Sequence, residues 1–290
     1  MIDSRCGLHC NGCLWKESHG CGGCIETMGN PFHGECQIAQ CCQGKGHTHC
    51  GECEIIPCSK LYRYSYLDKE HGDNPEGERV RVCRSWVMEE GKNIYQKILL
   101  TSAGFEDLQG ELKPNITACF LRLLEKPAKE AKVLFIPAAA IEEEELKMAD
   151  WCYLELLHIG ILPENIRTYN LEYEITIEEA MSFDVVYFTG GNTRHLLKVL
   201  KGSGFFSTVK KLVYRNKLYV GVSAGSLIAT PNIALAKEED TEGLCLIQAY
   251  LNVHCLDDSR QRKDLPLPHV CLKDNQAILV TGNDYRLIED

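Results

Sequence analysis

The chain has 290 residues, a formal net charge of -10, 44% hydrophobic residues and 17 cysteines. That length accommodates one small unit and one α/β domain with a sizeable core, and the acidic balance argues against a general nucleic-acid footprint. No apolar run reaches membrane-spanning length, and Asp3 and Arg5 interrupt any signal-like stretch, so a cytoplasmic protein with reduced thiols is expected.

Twelve of the cysteines fall between Cys6 and Cys83, interleaved with Gly, His and Lys, while the other five are scattered singly through apolar runs. This shift marks a boundary near Lys92 to Gln96, giving a Cys-rich domain over 1–93 and a second domain over 94–290. Cytosolic C-x-x-C pairs more often hold metal than disulfides. Cys21-Gly-Gly-Cys24 and Cys50-Gly-Glu-Cys53 have knuckle form, since two thiolates two residues apart reach one ion from a tight turn that Gly permits. Cys6-x3-Cys10-x2-Cys13 adds a third cluster. The expected group is structural Zn²⁺ held by Cys6, Cys10, Cys13, Cys21, Cys24, Cys50 and Cys53, with Cys36, Cys41, Cys42, Cys58, His33, His47 and His49 as surplus donors. Thiolates then take the place of an apolar core in a domain too small to build one. A C-x3-C-x2-C run also occurs in iron–sulfur sites of radical enzymes, but no barrel-like series of strands follows it. The polar stretch DKEHGDNPEGER, 68–79, reads as a loop or insertion.

From 97 onward the pattern alternates: strand 97–105, helix 114–126, strand 131–140, helix 142–159, strand 166–171, helix 176–182 with Thr176 and Glu179 in capping-box spacing, and the buried strand FDVVYF leading into Gly190-Gly191-Asn192-Thr193 and a helix. A further apolar run, LYVGV, breaks at Ser223 and resumes as a small-residue helix. Next comes the apolar run 244–254, ending in His254, and then a terminal hairpin turning at Gly282-Asn283. Such alternation predicts an α/β fold: a three-layer sandwich around a mostly parallel sheet.

Gly221-Val222-Ser223-Ala224-Gly225 has the form of a nucleophile elbow, in which a Ser in a strained strand-to-helix turn stands clear of the sheet beside a helix N-terminus. Gly190 and Gly191 fall at a carboxyl strand end, where sites form in open α/β sheets. His254, just past a strand end, is placed to take the Ser proton. His269 is the competing base, and His195 and His158 sit in helical patterns. Glu238, Glu239 and Asp240 lie between Ser223 and His254 as candidates for an acid that orients the imidazole.

The joint spacing of FIPAAA, YFTGGNTRHLLKVL, VGVSAGSLIATP and LNVHCLDDSRQR resembles the dipeptidase E and cyanophycinase family of serine peptidases over about 96–290. The resemblance implies a sheet related to class I glutamine amidotransferases, with Ser223 as nucleophile, His254 as general base and Glu238 as acid. The backbone N–H groups of Gly191 and Ala224 would form an oxyanion hole. Asn192 and Arg260, with Arg262 as the alternative to Arg260, are implied to contact the substrate, a short peptide or peptide-like amide. The first 92 residues, from CGLHCNGC through CGEC and IIPCSKL, resemble a Cys-rich bacterial and archaeal family of unknown function presumed to bind zinc. A second reading is a non-catalytic regulatory protein in which the hydrolase fold presents the Cys-rich module to a partner; a Ser223–His254 pair held apart would favour it. Oligomeric state is left open.

Overall fold

The structure, a computed structural model, describes residues 2–233, 241–257 and 261–290. The chain forms two compact units, Met1–Ile94 and Tyr95–Asp290.

The first unit is built from short helices, the longest being Glu78–Glu89. Contrary to the expectation that thiols replace a core, Ile38, Ile56, Leu61, Tyr66, Val80 and Val87 are all buried. The polar stretch after Leu67 is a loop up to the helix Glu78–Glu89, as its composition predicts, but it is pinned at one point. The guanidinium of Arg79, at the start of that helix, lies 2.8 Å from the Asp73 carboxylate, and its Nη atoms also donate to the carbonyls of Tyr64 and His71. Asp73 and Arg79 thus pack inward because each charge finds a fixed partner, while Lys69, Glu70 and His71 stay exposed.

The second unit carries a seven-stranded sheet in the order β3-β2-β4-β5-β1-β8-β9, from β1 (Ile98–Thr101), β2 (Val133–Ile136), β3 (Ile166–Thr168), β4 (Val185–Phe188), β5 (Leu218–Val222), β8 (Gln276–Thr281) and β9 (Asp284–Glu289). β3 to β1 in that order run parallel, while β8 and β9 are antiparallel additions. A separate parallel pair joins β6 (Tyr250–Asn252) and β7 (His269–Cys271). On one side of the sheet Leu99, Val133, Phe135, Val185, Tyr187 and Val220 pack with Phe120 and Leu156 from the helices Pro114–Leu124 and Glu143–Ile159. Their neighbours along the strands, Leu100, Leu134, Ile136, Val186 and Tyr219, are buried too. Burial of both members of each alternation is why these strands read as continuous apolar runs, and it requires cover on both faces.

Element limits depart from the sequence reading at informative places. β1 stops at Thr101 rather than running to 105, because Phe105 and Glu106 give their N–H groups to the buried Glu155 carboxylate. The run 244–254 is a strand only at Tyr250–Asn252; Leu244 and Leu246 donate instead to the carbonyls of Ile228 and Ala229, both at 2.7 Å. Thr176 accepts from the Glu179 N–H, but the reciprocal capping box is at Glu142 and Glu145. The terminal hairpin turns through Gly282, at φ +70°.

Candidate active site

The parallel strands β4, β5 and β1 end side by side, with Phe188 opposite Gly221 and Thr101 opposite Val222. Ser223 follows β5 directly, at φ 47° and ψ -105°, a conformation costly for a residue with a side chain. Surroundings impose it. The Ser223 N–H donates to the Thr101 carbonyl at 3.0 Å. The Ser226 hydroxyl lies 2.8 Å from that carbonyl oxygen and 2.7 Å from that of Gly221, and the Tyr219 hydroxyl donates to Gly225 O at 2.7 Å. Both glycines of the motif are sterically required: a Cβ on Gly221 would lie 2.5 Å from Gly225 O, and one on Gly225 would lie 2.5 Å from Phe188 O. The helix that follows, Ala224–Leu227, is a single turn.

His254 comes to Ser223 through the β6–β7 pair. The Leu272 N–H donates to Asn252 O, and the Cys255 N–H to Leu272 O, so the residues after β6 lie against those after β7. The His254 Nε2 is 2.9 Å from the Ser223 Oγ, and its Nδ1 is 2.7 Å from the Asp274 Oδ1. With a carboxylate at Nδ1, the neutral ring carries its proton there and offers Nε2 as acceptor to the Ser223 hydroxyl.

Among the described residues the acid facing His254 is Asp274, twenty residues beyond it. Glu238, Glu239 and Asp240 lie outside the described residues, as does Arg260. The order along the chain is Ser, His, Asp, whereas an acid between Ser223 and His254 would give the order Ser, acid, His. Asp274 stands in a short polar turn between β7 and β8, where Asp is common for turn chemistry alone, and nothing in the sequence set it apart.

The Gly190–Gly191 turn abuts the elbow: a Cβ on Gly190 would lie 3.2 Å from the Ser223 Cβ. Gly191 has φ +128°, and a Cβ there would lie 2.4 Å from Ala139 O. The backbone N–H groups of Gly191 and Ala224 have no hydrogen-bond partner among the described residues. Asn192 uses its side-chain oxygen to accept from the His195 N–H, capping the helix Thr193–Gly202. Arg262 pairs with Asp264. His269 opens β7, buried, its Nδ1 accepting from the Arg262 N–H; burial, helped by the Arg262 charge, holds its pKa below the usual imidazole value. His158 pairs with Glu106 at 2.7 Å. Of the candidate bases, His254 alone is brought to Ser223 among the described residues.

In the first unit all the cysteines are free thiols. The turns Cys10–Cys13 and Cys50–Cys53 close alike, the second Cys N–H donating to the first Cys carbonyl at 3.2 Å. Backbone N–H groups also reach sulfur: Arg5 to Cys24 at 3.2 Å and Gly23 to Cys21 at 3.4 Å. Burial and the neighbouring thiols Cys24 and Cys6 push the Cys10 thiol up to about 12. Cys41, Cys42, Cys50, Cys53 and Cys58 line one small cavity with Lys45, whose ammonium donates to the Cys53 sulfur at 3.3 Å. Among the described residues no three of the expected sulfurs lie within 4.8 Å of one another. Among the described residues the trio of metal-type donors within 4.8 Å of one another is His49, Glu52 and Glu90. His49 does not suit a cation there: its Nδ1 accepts from the Gly51 N–H, so the neutral ring carries its proton on Nε2, which faces Glu90 at 3.5 Å.

A family profile described as Peptidase family S51 matches residues 98–288, and one described as a protein of unknown function (DUF3795) matches residues 2–63. An uncharacterized peptidase of Listeria monocytogenes is 38% identical over 111 residues, 38% of this chain and 53% of the relative. One from Listeria innocua is 35% identical over 112 residues, 38% of this chain and 52% of the relative. The chain thus spans about half the length of the curated relatives it matches. Among solved structures, a peptidase E candidate from Listeria monocytogenes aligns with a TM-score of 0.53 at 21% identity, covering 67% of this chain and 98% of that one. A peptidase from an acI-B1 Actinobacterium aligns at 0.50 and 15%, covering 69% and 89%. These two likenesses establish the α/β fold with its mostly parallel sheet. No helix among the described residues is long and apolar enough to cross a membrane.

Proposed function

Because the chain belongs to peptidase family S51, the dipeptidase E family, we propose that its second unit is a serine peptidase that cleaves a short peptide or peptide-like amide through an acyl-enzyme on Ser223. The observation that carries this reading is the continuous relay from the Ser223 Oγ to His254 Nε2 at 2.9 Å and from His254 Nδ1 to Asp274 at 2.7 Å. A pair this close also speaks against the purely regulatory alternative.

As the Ser223 oxygen attacks the scissile carbonyl carbon, its proton passes to His254 Nε2, and the imidazolium so formed is stabilised by the Asp274 carboxylate. The carbonyl oxygen takes up negative charge beside the unpartnered N–H groups of Gly191 and Ala224, which act as fixed donors. Proton return from Nε2 releases the amine. A water molecule, deprotonated by the same nitrogen, then attacks the ester and frees the acid product and Ser223.

Labelling with a fluorophosphonate probe tests the reading: Ser223 in the wild-type chain is expected to be modified. Ser223→Ala should abolish labelling and peptide hydrolysis while leaving thermal unfolding unchanged. A wild-type protein inert to the probe would refute it.

For the Cys-rich unit the proposal is structural zinc, one or two ions held by thiolates from among Cys6, Cys10, Cys13, Cys21, Cys24, Cys50 and Cys53. The knuckle-like closure of Cys10–Cys13 and Cys50–Cys53, with N–H groups directed at Cys21 and Cys24, supports this donor set. Zinc there would hold the fold and take no part in hydrolysis. Elemental analysis of protein purified without chelator decides it.

A further inference from the structure

Ser102, the first residue after β1, has no exposed surface. It stands between the strand that delivers the nucleophile and the strand that follows Asp274. Its neighbour Thr101 accepts the Ser223 N–H, and its own N–H donates to Gln276 O at 3.4 Å. From there its hydroxyl reaches two members of the relay at once, lying 2.8 Å from the His254 backbone nitrogen and 2.8 Å from the Asp274 Oδ1. Proton accounting fixes the directions. The His254 N–H can only donate, so the Ser102 oxygen accepts there and its single O–H points at the carboxylate. Asp274 Oδ1 thus receives the Ser102 hydroxyl and the His254 Nδ1–H together.

Two features make this tether consequential. His254 holds φ at +54°, a left-handed conformation that a residue with a side chain keeps only when its surroundings impose it. Moreover, the side chains of His254 and Asp274 are 46% and 61% exposed. A hydrogen bond between groups so wet is worth little and does not by itself hold one geometry. Ser102 is the buried group that both share.

Resting on the serine-peptidase reading above, we propose that Ser102 is a positioning residue of the reaction. By anchoring the backbone of His254 and the carboxylate of Asp274 to β1, it keeps the imidazole presented to Ser223.

The test is Ser102→Ala in the full chain, read in two ways. In saturation labelling with a fluorophosphonate, the maximal inactivation rate should fall about 10²-fold, the cost of a misplaced catalytic group, with the half-saturating probe concentration unchanged. In proton NMR, the downfield resonance of the hydrogen-bonded His254 Nδ1–H, identified by its loss in His254→Ala, should vanish or broaden in S102A. A hydroxyl that only completes the end of a strand would lower the melting temperature and alter neither readout. If S102A does not fold, Ser102→Cys, of similar volume but weaker hydrogen bonding, is read in the same way. Wild-type labelling kinetics with a retained Nδ1–H resonance would overturn the proposal. A wild-type chain inert to the probe would overturn the peptidase reading instead, and the NMR comparison would then decide the tether alone.

Discussion

Ser223 and His254 illustrate how much a residue type says before its neighbours are known. A Ser between two glycines that admit no Cβ has few explanations, and the first His after it at a strand end was the natural base. The acid was not legible, because carboxylates are common in turns and only the pairing after β6 and β7 brings Asp274 to Nδ1. Two substitutions separate the assignments. Asp274→Asn should lower the turnover of a hydrolysed peptide by up to about 10⁴-fold, by stabilising the wrong imidazole tautomer. Glu238→Gln should change it less than about threefold; steady-state kinetics on the two purified variants checks both.

At the level of elements, the elbow depends on a backbone crossing that tolerates no side chain. Gly225→Ala would drive a methyl to 2.5 Å from the Phe188 carbonyl oxygen, so β4 and β5 would have to separate at their carboxyl ends. A loss of about 1–3 kcal/mol, measured by urea unfolding, and weaker fluorophosphonate labelling are expected together. A second element-level device is the buried Glu155 on the helix Glu143–Ile159, which accepts the N–H groups of Phe105 and Glu106. Burial raises its pKa to about 7, against the opposing pull of those N–H groups and of Lys113. The native state therefore holds this proton more tightly than the unfolded chain. Its contribution to stability is fully present below the ordinary value of 4.5 and is lost as pH rises to about 7. At about 1.4 kcal/mol per pH unit the loss is of the order of 3 kcal/mol. Glu155→Gln should flatten that part of the stability profile, which urea titrations at pH 5 and pH 8, compared with the wild type, would reveal.

On the scale of the whole molecule, the chain is two units with different grounds for stability. The second buries a continuous apolar layer on each face of its sheet, whereas the first combines a modest apolar core with twelve free thiols. With the proposed zinc in the first unit, treatment with a chelator should expose that unit to proteolysis within residues 1–94 while Tyr95–Asp290 stays resistant. Mass spectrometry of a timed digest checks this, and simultaneous loss of both units would contradict it.

The strand and helix alternation, the elbow and the break in cysteine density were all legible in the sequence, because each is written in local terms: runs of apolar residues, glycine spacing, residue counts. Composition could not say that the Cys-rich unit buries Ile56, Leu61 and Val80, nor that Arg79 folds inward onto Asp73. Periodicity could not say that the run 244–254 would mostly hydrogen-bond back to Ile228 and Ala229 instead of forming a strand. These are contacts between distant segments, and a hydrogen-bond donor or a carboxylate has the same local signature whichever partner it meets. The sequence by itself determined which backbone turn holds the serine and why glycine must flank it. Only the tertiary structure decided which acid faces the histidine and that the Ser102 hydroxyl holds both, because that choice depends on where β1, β7 and β8 end in space.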